Sequence, residues 1–222
     1  MMYNLIKRIL DILLSLIALV ILTPFFIIIS LILLFSGENE ILYFQKRVGL
    51  KNKKFYIWKF ATMMKNSQNI GTGSITTVDD FRVTKFGKYL RKSKVNELPQ
   101  IINILKGDIS MVGPRPFVEN IFLLYSDELK NKIYDVKPGL TGIGSIIFRD
   151  EESIISSIKS EEPLHYYKRV ISPYKGELEM WYQSNQSLFL DLQLIFLTAW
   201  VVIFPKTRLY EKWFEDLPKR DF

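Results

Sequence analysis

The chain has no cysteine and only one histidine, His165, in 222 residues. The first absence excludes disulfides and thiolate-held metals, and it gives no sign of an oxidising compartment. With no second imidazole at metal-ligand spacing, His165 reads as structural. There is no Walker A loop, dinucleotide fingerprint, nucleophile elbow, internal repeat, low-complexity tract or long linker. Acidic residues are in deficit, 23 Asp+Glu against 30 Lys+Arg, for a formal charge of +7. That balance favours an anionic partner, whether phospholipid, nucleotide or nucleic acid, without choosing among them. The length suits one domain with its own core plus a short appendage and argues against a two-domain enzyme.

Apolar residues are concentrated at the N terminus. From Ile12 to Phe35 the chain runs 24 residues without a charge, or ~36 Å of helix, enough to cross a hydrocarbon core of ~30 Å. It is too long for a secretory h-region and no small-residue cleavage site follows, so the segment is expected to stay in the mature protein. Pro24 at its centre predicts a kink, with Thr23 placed to bond the freed carbonyls. Basic residues flank both ends: Lys7 and Arg8 before it, Lys46, Arg47, Lys51, Lys53 and Lys54 after it. This suits two cytoplasmic ends. A re-entrant helix that breaks at Pro24 and enters and leaves one leaflet satisfies length, proline and charge together, and is preferred to a Pro-kinked spanning helix. The expected fold is an α-rich α+β protein: residues 1–36 form the membrane element and 37–222 one cytoplasmic domain with interfacial amphipathic helices.

Within that domain FYIWKF (Phe55 to Phe60) reads as a strand and Gln68 to Thr77 as a loop. Leu98, Ile101, Ile102 and Leu105 mark a helix with Asn96 as its N-cap and Gly107 as its stop. A further helix is expected from Glu119 to Tyr134, and KPGLTG (Lys137 to Gly142) reads as a turn. Leu194 to Phe204 is apolar but too short to span. Arg208, Lys212, Trp213 and Phe214 after it resemble headgroup-region residues.

Two stretches, Lys46–Lys59 and Arg82–Lys94, each hold six Lys/Arg and no acid. They read as solvated surface, as contacts to anionic lipids or, near the helix start at Asn96, as a phosphate site. In VGPRP two prolines stiffen the backbone around Arg115, whose guanidinium suits a diphosphate or a uracil edge as well as a plain rigid connection. RDEE (Arg149 to Glu152) is a possible Mg²⁺ site or the acidic opening of a helix. Asn185-Gln-Ser187 matches a glycosylation sequon that a cytoplasmic domain never presents. The aromatics form no stacking platform, which argues against nucleic acid.

KRILD with Pro24, FQKRVG, IWKF, the run from Arg82 to Pro116 and VKPGLTG together resemble the bacterial sugar transferase family, small monotopic phosphoglycosyl transferases of exopolysaccharide, lipopolysaccharide (O-antigen) and glycoconjugate assembly. The resemblance implies transfer of a sugar 1-phosphate from a UDP-sugar to polyprenyl phosphate at the cytoplasmic face of the bacterial inner membrane. It also implies UMP release, Mg²⁺, anionic lipids and downstream glycosyltransferases as partners. Carried over by residue, Glu97 matches the glutamate of the family's Asp-Glu pair, while Lys59, Arg91, Arg115 and Arg149 match substrate contacts; Glu97 and Asp150 are the metal ligands expected. Asn96 stands where the family has its nucleophilic aspartate.

A carboxamide is neutral and a poor nucleophile and ligand. Four outcomes are open. Glu97 takes over as nucleophile or as base for direct attack by the lipid phosphate; Asp108, Asp150 or Glu151 supplies the carboxylate; the asparagine is an engineered trap; or the chain is a membrane-anchored pseudoenzyme or scaffold. An active variant with a reassigned carboxylate is the reading preferred.

Overall fold

The structure is a computed structural model that describes residues 2–36, 38–71, 76–159, 161–220 and 222. It is helix-rich, with two small sheets. A long apolar helix α1 (Met2–Phe35) is followed by an antiparallel hairpin of β1 (Leu42–Val48) and β2 (Lys54–Phe60), then α2 (Lys85–Lys92) and α3 (Gln100–Lys106). Next come β3 (Ser110–Val112), two short helices α4 (Glu119–Phe122) and α5 (Asp127–Lys132), and β4 (Gly139–Thr141), which pairs parallel to β3. The chain ends in α6 (Ile143–Ile147), α7 (Glu151–Ser157), α8 (Pro163–Tyr166), a π-helical turn (Tyr167–Ile171), α9 (Ser172–Ser184), α10 (Leu188–Ile203) and α11 (Leu209–Trp213).

Helix α1 keeps its helical assignment through Pro24 rather than breaking there. The Thr23 hydroxyl donates to Leu19 O at 2.7 Å, one residue before the carbonyl that Pro24 leaves without its usual donor. The helix does not project away from the domain. Near its start, Arg8 donates to Ile104 O (2.6 Å), which also accepts from Gly107 N, and to the otherwise orphan Leu105 O (2.8 Å) at the end of α3, and Asp11 accepts from Met111 N (2.9 Å). Near its end, buried Leu33, with Phe26 and Ile29, packs on Phe60 and Leu90. Lys7, read from sequence as a flanking charge, instead pairs at 2.6 Å with buried Asp191 of α10, whose other oxygen accepts from Tyr182. The outward face, including Leu16, Ile17, Val20, Ile21 and Phe25, is exposed apolar surface.

The main core lies between the β3/β4 pair and helices α6, α9 and α10, around Val112, Ile143, Ile171, Leu178, Leu194 and Leu197. Four local expectations are corrected. Asn96 is not the cap of α3: left-handed Lys94 (φ 61°) opens a separate 3₁₀ turn, Val95–Glu97, and Pro99, which needs no N–H partner, takes the N-cap position. Gly107 (φ 87°) does stop α3. The helix expected from Glu119 to Tyr134 is divided, because Ser126 starts α5 with its own side-chain cap on Leu129 N. KPGLTG is not a free turn, since Gly139 to Thr141 form β4. Phe214 is buried against Trp181 rather than placed for headgroups, although Trp213 stays partly exposed and stacks on Phe196. The Gln68–Thr77 loop is described only up to Gly71 and from Thr76, the rest lying outside the described residues.

The glycines of VGPRP and KPGLTG meet. A Cβ on Gly139 would lie 2.1 Å from Gly113 N, and one on Gly113 would lie 2.4 Å from Lys137 O. No side chain fits between the two backbones. Gly113 N donates to Thr141 O and Gly139 N to Pro114 O, each at 2.9 Å, so the loop carrying Arg115 is stitched to β4.

Candidate active site

One cavity of about 1040 Å³ opens beside this seam, at the upper limit of the size range of small-molecule sites. Its cationic side is built by three segments. Strand alternation turns Tyr43, Gln45 and Arg47 of β1 toward the cavity, β2 adds Lys59, and the Pro-Arg-Pro loop adds Arg115. Glu97, at the end of the 3₁₀ turn, sits among them. Its Oε1 accepts from Lys59 Nζ at 3.0 Å and from Arg115 Nη2 at 2.8 Å, and its Oε2 faces Arg115 Nη1 at 3.4 Å.

Burial pushes the Glu97 carboxyl up, but Arg115 and Lys59 outweigh it and hold the group well below the usual carboxylate range. Burial lowers the Lys59 ammonium to about 7 despite the pull of Glu97, with Arg47 and Arg115 adding repulsion. Arg47 is also lowered, to about 10, by burial and then by Arg115. Its guanidinium bonds Pro116 O and Gln45 rather than an acid. The site therefore holds a surplus of positive charge around one carboxylate, the arrangement an anionic diphosphate needs.

Asn96, beside Glu97, is buried at 5% exposure, and its Oδ1 has no hydrogen-bond partner. A buried acceptor left unsatisfied is costly and points to an absent donor or cation. Mg²⁺ is usually bound through one or two carboxylates plus substrate phosphates and water. Glu97 Oε2, more loosely held by Arg115 than Oε1, is the one carboxylate oxygen that fits, with the neutral Asn96 Oδ1 a weaker ligand on the adjacent residue, and no cluster of three or more metal-ligating His, Asp or Glu occurs among the described residues.

Of the residues singled out from sequence, Asn96, Glu97, Lys59, Arg91, Arg115 and Arg149 all line the cavity. Arg91 is paired with Glu152, and burial lowers the Arg149 guanidinium. Asp150 is the exception: exposed at the start of α7, it does not line the cavity, and the structure does not support it as a metal ligand beside Glu97. Glu151 and Glu152, in the first turn of α7, reach the cavity instead, so the acids of RDEE do open a helix. Glu151 is paired at 2.7 Å with buried Lys175. His165 is exposed and meets Glu161.

Sequence reasoning missed Arg47, Lys175 and Glu179, whereas Lys94, in the basic stretch read as a phosphate site near Asn96, does line the cavity. Period-two alternation along Tyr43, Gln45 and Arg47 was the available signal for Arg47, which had been grouped with surface charges. Glu179, on α9, is 1% exposed, accepts weakly from Arg115 N at 3.4 Å, and is pushed up to about 7 by burial. Nothing local in the sequence marks it.

The family model for bacterial sugar transferases matches residues 2–205. The chain belongs to the bacterial sugar transferase family. It is 36% identical over 161 residues to the uncharacterized sugar transferase EpsL of Bacillus subtilis, covering 72% of this chain and 69% of that protein. It is 33% identical to the exopolysaccharide production protein ExoY of Sinorhizobium fredii, covering 86% and 83%. It is 32% identical to the UDP-glucose:undecaprenyl-phosphate glucose-1-phosphate transferase of Escherichia coli, covering 88% of this chain and 40% of that one. The chain thus spans less than half the length of some of these relatives.

Proposed function

We propose that this chain transfers a sugar 1-phosphate from a UDP-sugar to polyprenyl phosphate and releases UMP, in an initiating step of exopolysaccharide, O-antigen or glycoconjugate assembly. The observation that carries the reading is the Lys59–Glu97–Arg115 constellation in a cavity built beside a docked apolar helix. The names of relatives that act on UDP-sugars and undecaprenyl phosphate support it.

Both oxygens of Glu97 face cations, and Asn96 offers no charge, so Glu97 acts here as the electrostatic anchor of Lys59 and Arg115 rather than as the attacking group. The acceptor needs no base, because a phosphate monoester is already an anion. One of its oxygens bonds to the β-phosphorus of the donor. The bond from that phosphorus to the bridging oxygen breaks, and the oxygen leaves with its electron pair on UMP, giving a polyprenyl diphosphate sugar. Lys59, Arg115 and Arg47 bind the diphosphate and stabilise the charge that builds on the leaving phosphate. Mg²⁺, held by Asn96 Oδ1 and Glu97 Oε2, would neutralise diphosphate charge.

The protein is read as monotopic on the cytoplasmic face of the inner membrane. Asp11 and Leu33 of α1 both touch the same domain, which suits a helix lying against that domain with its apolar face toward one leaflet; the re-entrant path rests on Pro24 and the basic residues at both flanks. Anionic lipids at the exposed lysines and downstream glycosyltransferases complete the partners. A donor screen by UMP release, with Mg²⁺ and polyprenyl phosphate in nanodiscs, tests the activity: UMP formation from at least one UDP-sugar is expected. Tight UDP-sugar binding without UMP from any donor would identify a scaffold instead.

A further inference from the structure

The cavity is charged at one side and apolar at another. On α10, Ile195, Thr198 and Val202 recur at i, i+3 and i+7, the spacing of one helical face, and all three line it. Leu140 of β4 and Met111 of β3 line the same region. Val202 belongs to the lining and is also 42% exposed, and the next two residues, Ile203 and Phe204, are 68% and 48% exposed. The cavity therefore reaches the outside of the protein through apolar surface. Met111 and Ile195 also line a narrow crevice between α1 and α10, together with Leu10 and Leu14 and with Asp11 and the Lys7–Asp191 ion pair. The wall thus abuts the membrane helix.

We propose that the α10–β4 wall, centred on Ile195, Thr198 and Val202, is the subsite for the first isoprene units of the acceptor. The inference rests on the transferase reading above for the identity of the lipid. An occupant with an anionic head and an apolar tail matches both sides of the cavity: the phosphate lies at the cationic side, next to the donor diphosphate, and the chain leaves past Val202 into the lipid that surrounds the outward face of α1. A wholly polar donor leaves this wall unused, and a neutral lipid leaves the cationic side unused. The periodicity is missed in sequence because Leu194–Phe204 is apolar on every face, so nothing distinguishes residues that face a core from those that face a channel.

The test uses the full chain in nanodiscs with a polyprenyl phosphate bearing a diazirine on its first isoprene units. Photolabelling followed by peptide mapping is expected to mark the segment from Ile195 to Val202, with excess undecaprenyl phosphate suppressing it. In kinetics, Val202→Trp, which keeps the mouth apolar, is expected to raise KM for undecaprenyl phosphate about tenfold while KM for the UDP-sugar stays within about twofold. Labelling confined to other segments, or an unchanged acceptor KM in Val202→Trp, overturns the subsite. The transferase reading fails separately, if the unsubstituted protein releases no UMP from any donor. Labelling does not depend on turnover, so it reports on the subsite in either case.

Discussion

The Arg115 guanidinium meets both oxygens of Glu97, at 2.8 and 3.4 Å, so the one carboxylate at the cationic side of the cavity is already engaged before any substrate arrives. Replacing it with an uncharged isostere leaves Lys59 and Arg115 buried without their counter-ion. Glu97→Gln is expected to destabilise the protein by about 3–5 kcal/mol, lessened by proton release from Lys59, and to abolish turnover. The sign of the pH dependence follows from the depressed carboxyl: its stabilising contribution is present above the unfolded value near 4.5 and is lost as pH falls toward the folded value. Thermal unfolding from pH 7 down to 3 should therefore show a steeper loss for the unsubstituted protein than for Glu97→Gln.

Asn96→Asp restores a carboxylate at a position where the present side-chain oxygen has no partner. Arg47, Lys59 and Arg115 around a single acid leave room for its charge. The variant is expected to turn over roughly tenfold faster and to change kinetic order, because a covalent phosphosugar intermediate becomes available. Exchange of labelled UMP into UDP-sugar without acceptor checks this: exchange in Asn96→Asp and none in the unsubstituted protein. Exchange in both would mean that a carboxylate already attacks.

Lys59 loses its proton near pH 7 in the free protein. Raising the pH from 6 to 8 is expected to lower kcat/KM for the UDP-sugar by about tenfold per unit at the upper end, as one phosphate contact becomes neutral. Lys59→Arg should flatten that limb. Any inflection that remains near 7 belongs to Glu179, which gains charge over the same range. Its raised carboxyl contributes stability below the unfolded value that is lost as pH rises through 7, a window worth about 3 kcal/mol, so Glu179→Gln is expected to be the more stable form at pH 8.

Arg8 and Asp11 fasten α1 to α3 and β3. Arg8→Ala removes two hydrogen bonds from a charged donor and leaves Leu105 O bare, while Ile104 O keeps Gly107 N, at a cost of about 2–3 kcal/mol. Because Met111, on the far side of that junction, lines the cavity, the acceptor KM should rise with the loss of stability. Differential scanning fluorimetry in detergent together with acceptor titration reads both effects. A normal acceptor KM at an unchanged melting temperature would show that the junction is incidental.

Legibility from sequence followed the range of the interactions. The apolar run, the strand at Phe55–Phe60 and the stop at Gly107 depend on neighbours in the chain and were readable. The cap role of Asn96 was not, because Lys94 in the left-handed region inserts a separate turn that only tertiary packing selects. Lys59, Arg91, Arg115 and Arg149 were placed by resemblance, and the structure brings all four to one cavity. Asp150 was misplaced because three consecutive acids cannot all face the same way from a helix start. Glu179 became visible only once α9 was packed behind the Pro-Arg-Pro loop, whereas the alternation that turns Arg47 inward was present in the sequence and took its meaning from the pairing of β1 with β2.

The contact between Gly113 and Gly139 sets where this chain can diversify. Any side chain at either glycine would push the two backbones apart and carry Arg115 with them, so that half of the cavity is closed to variation. The facing wall is different in kind: Met64, Asn66, Gln68 and Asn69 line the cavity as exposed side chains on a loop. Exchanges there alter what the cavity touches without moving the cations. On the proposed transferase reading, substitution along that loop is expected to shift donor preference while diphosphate binding is kept, which a donor screen of loop variants checks.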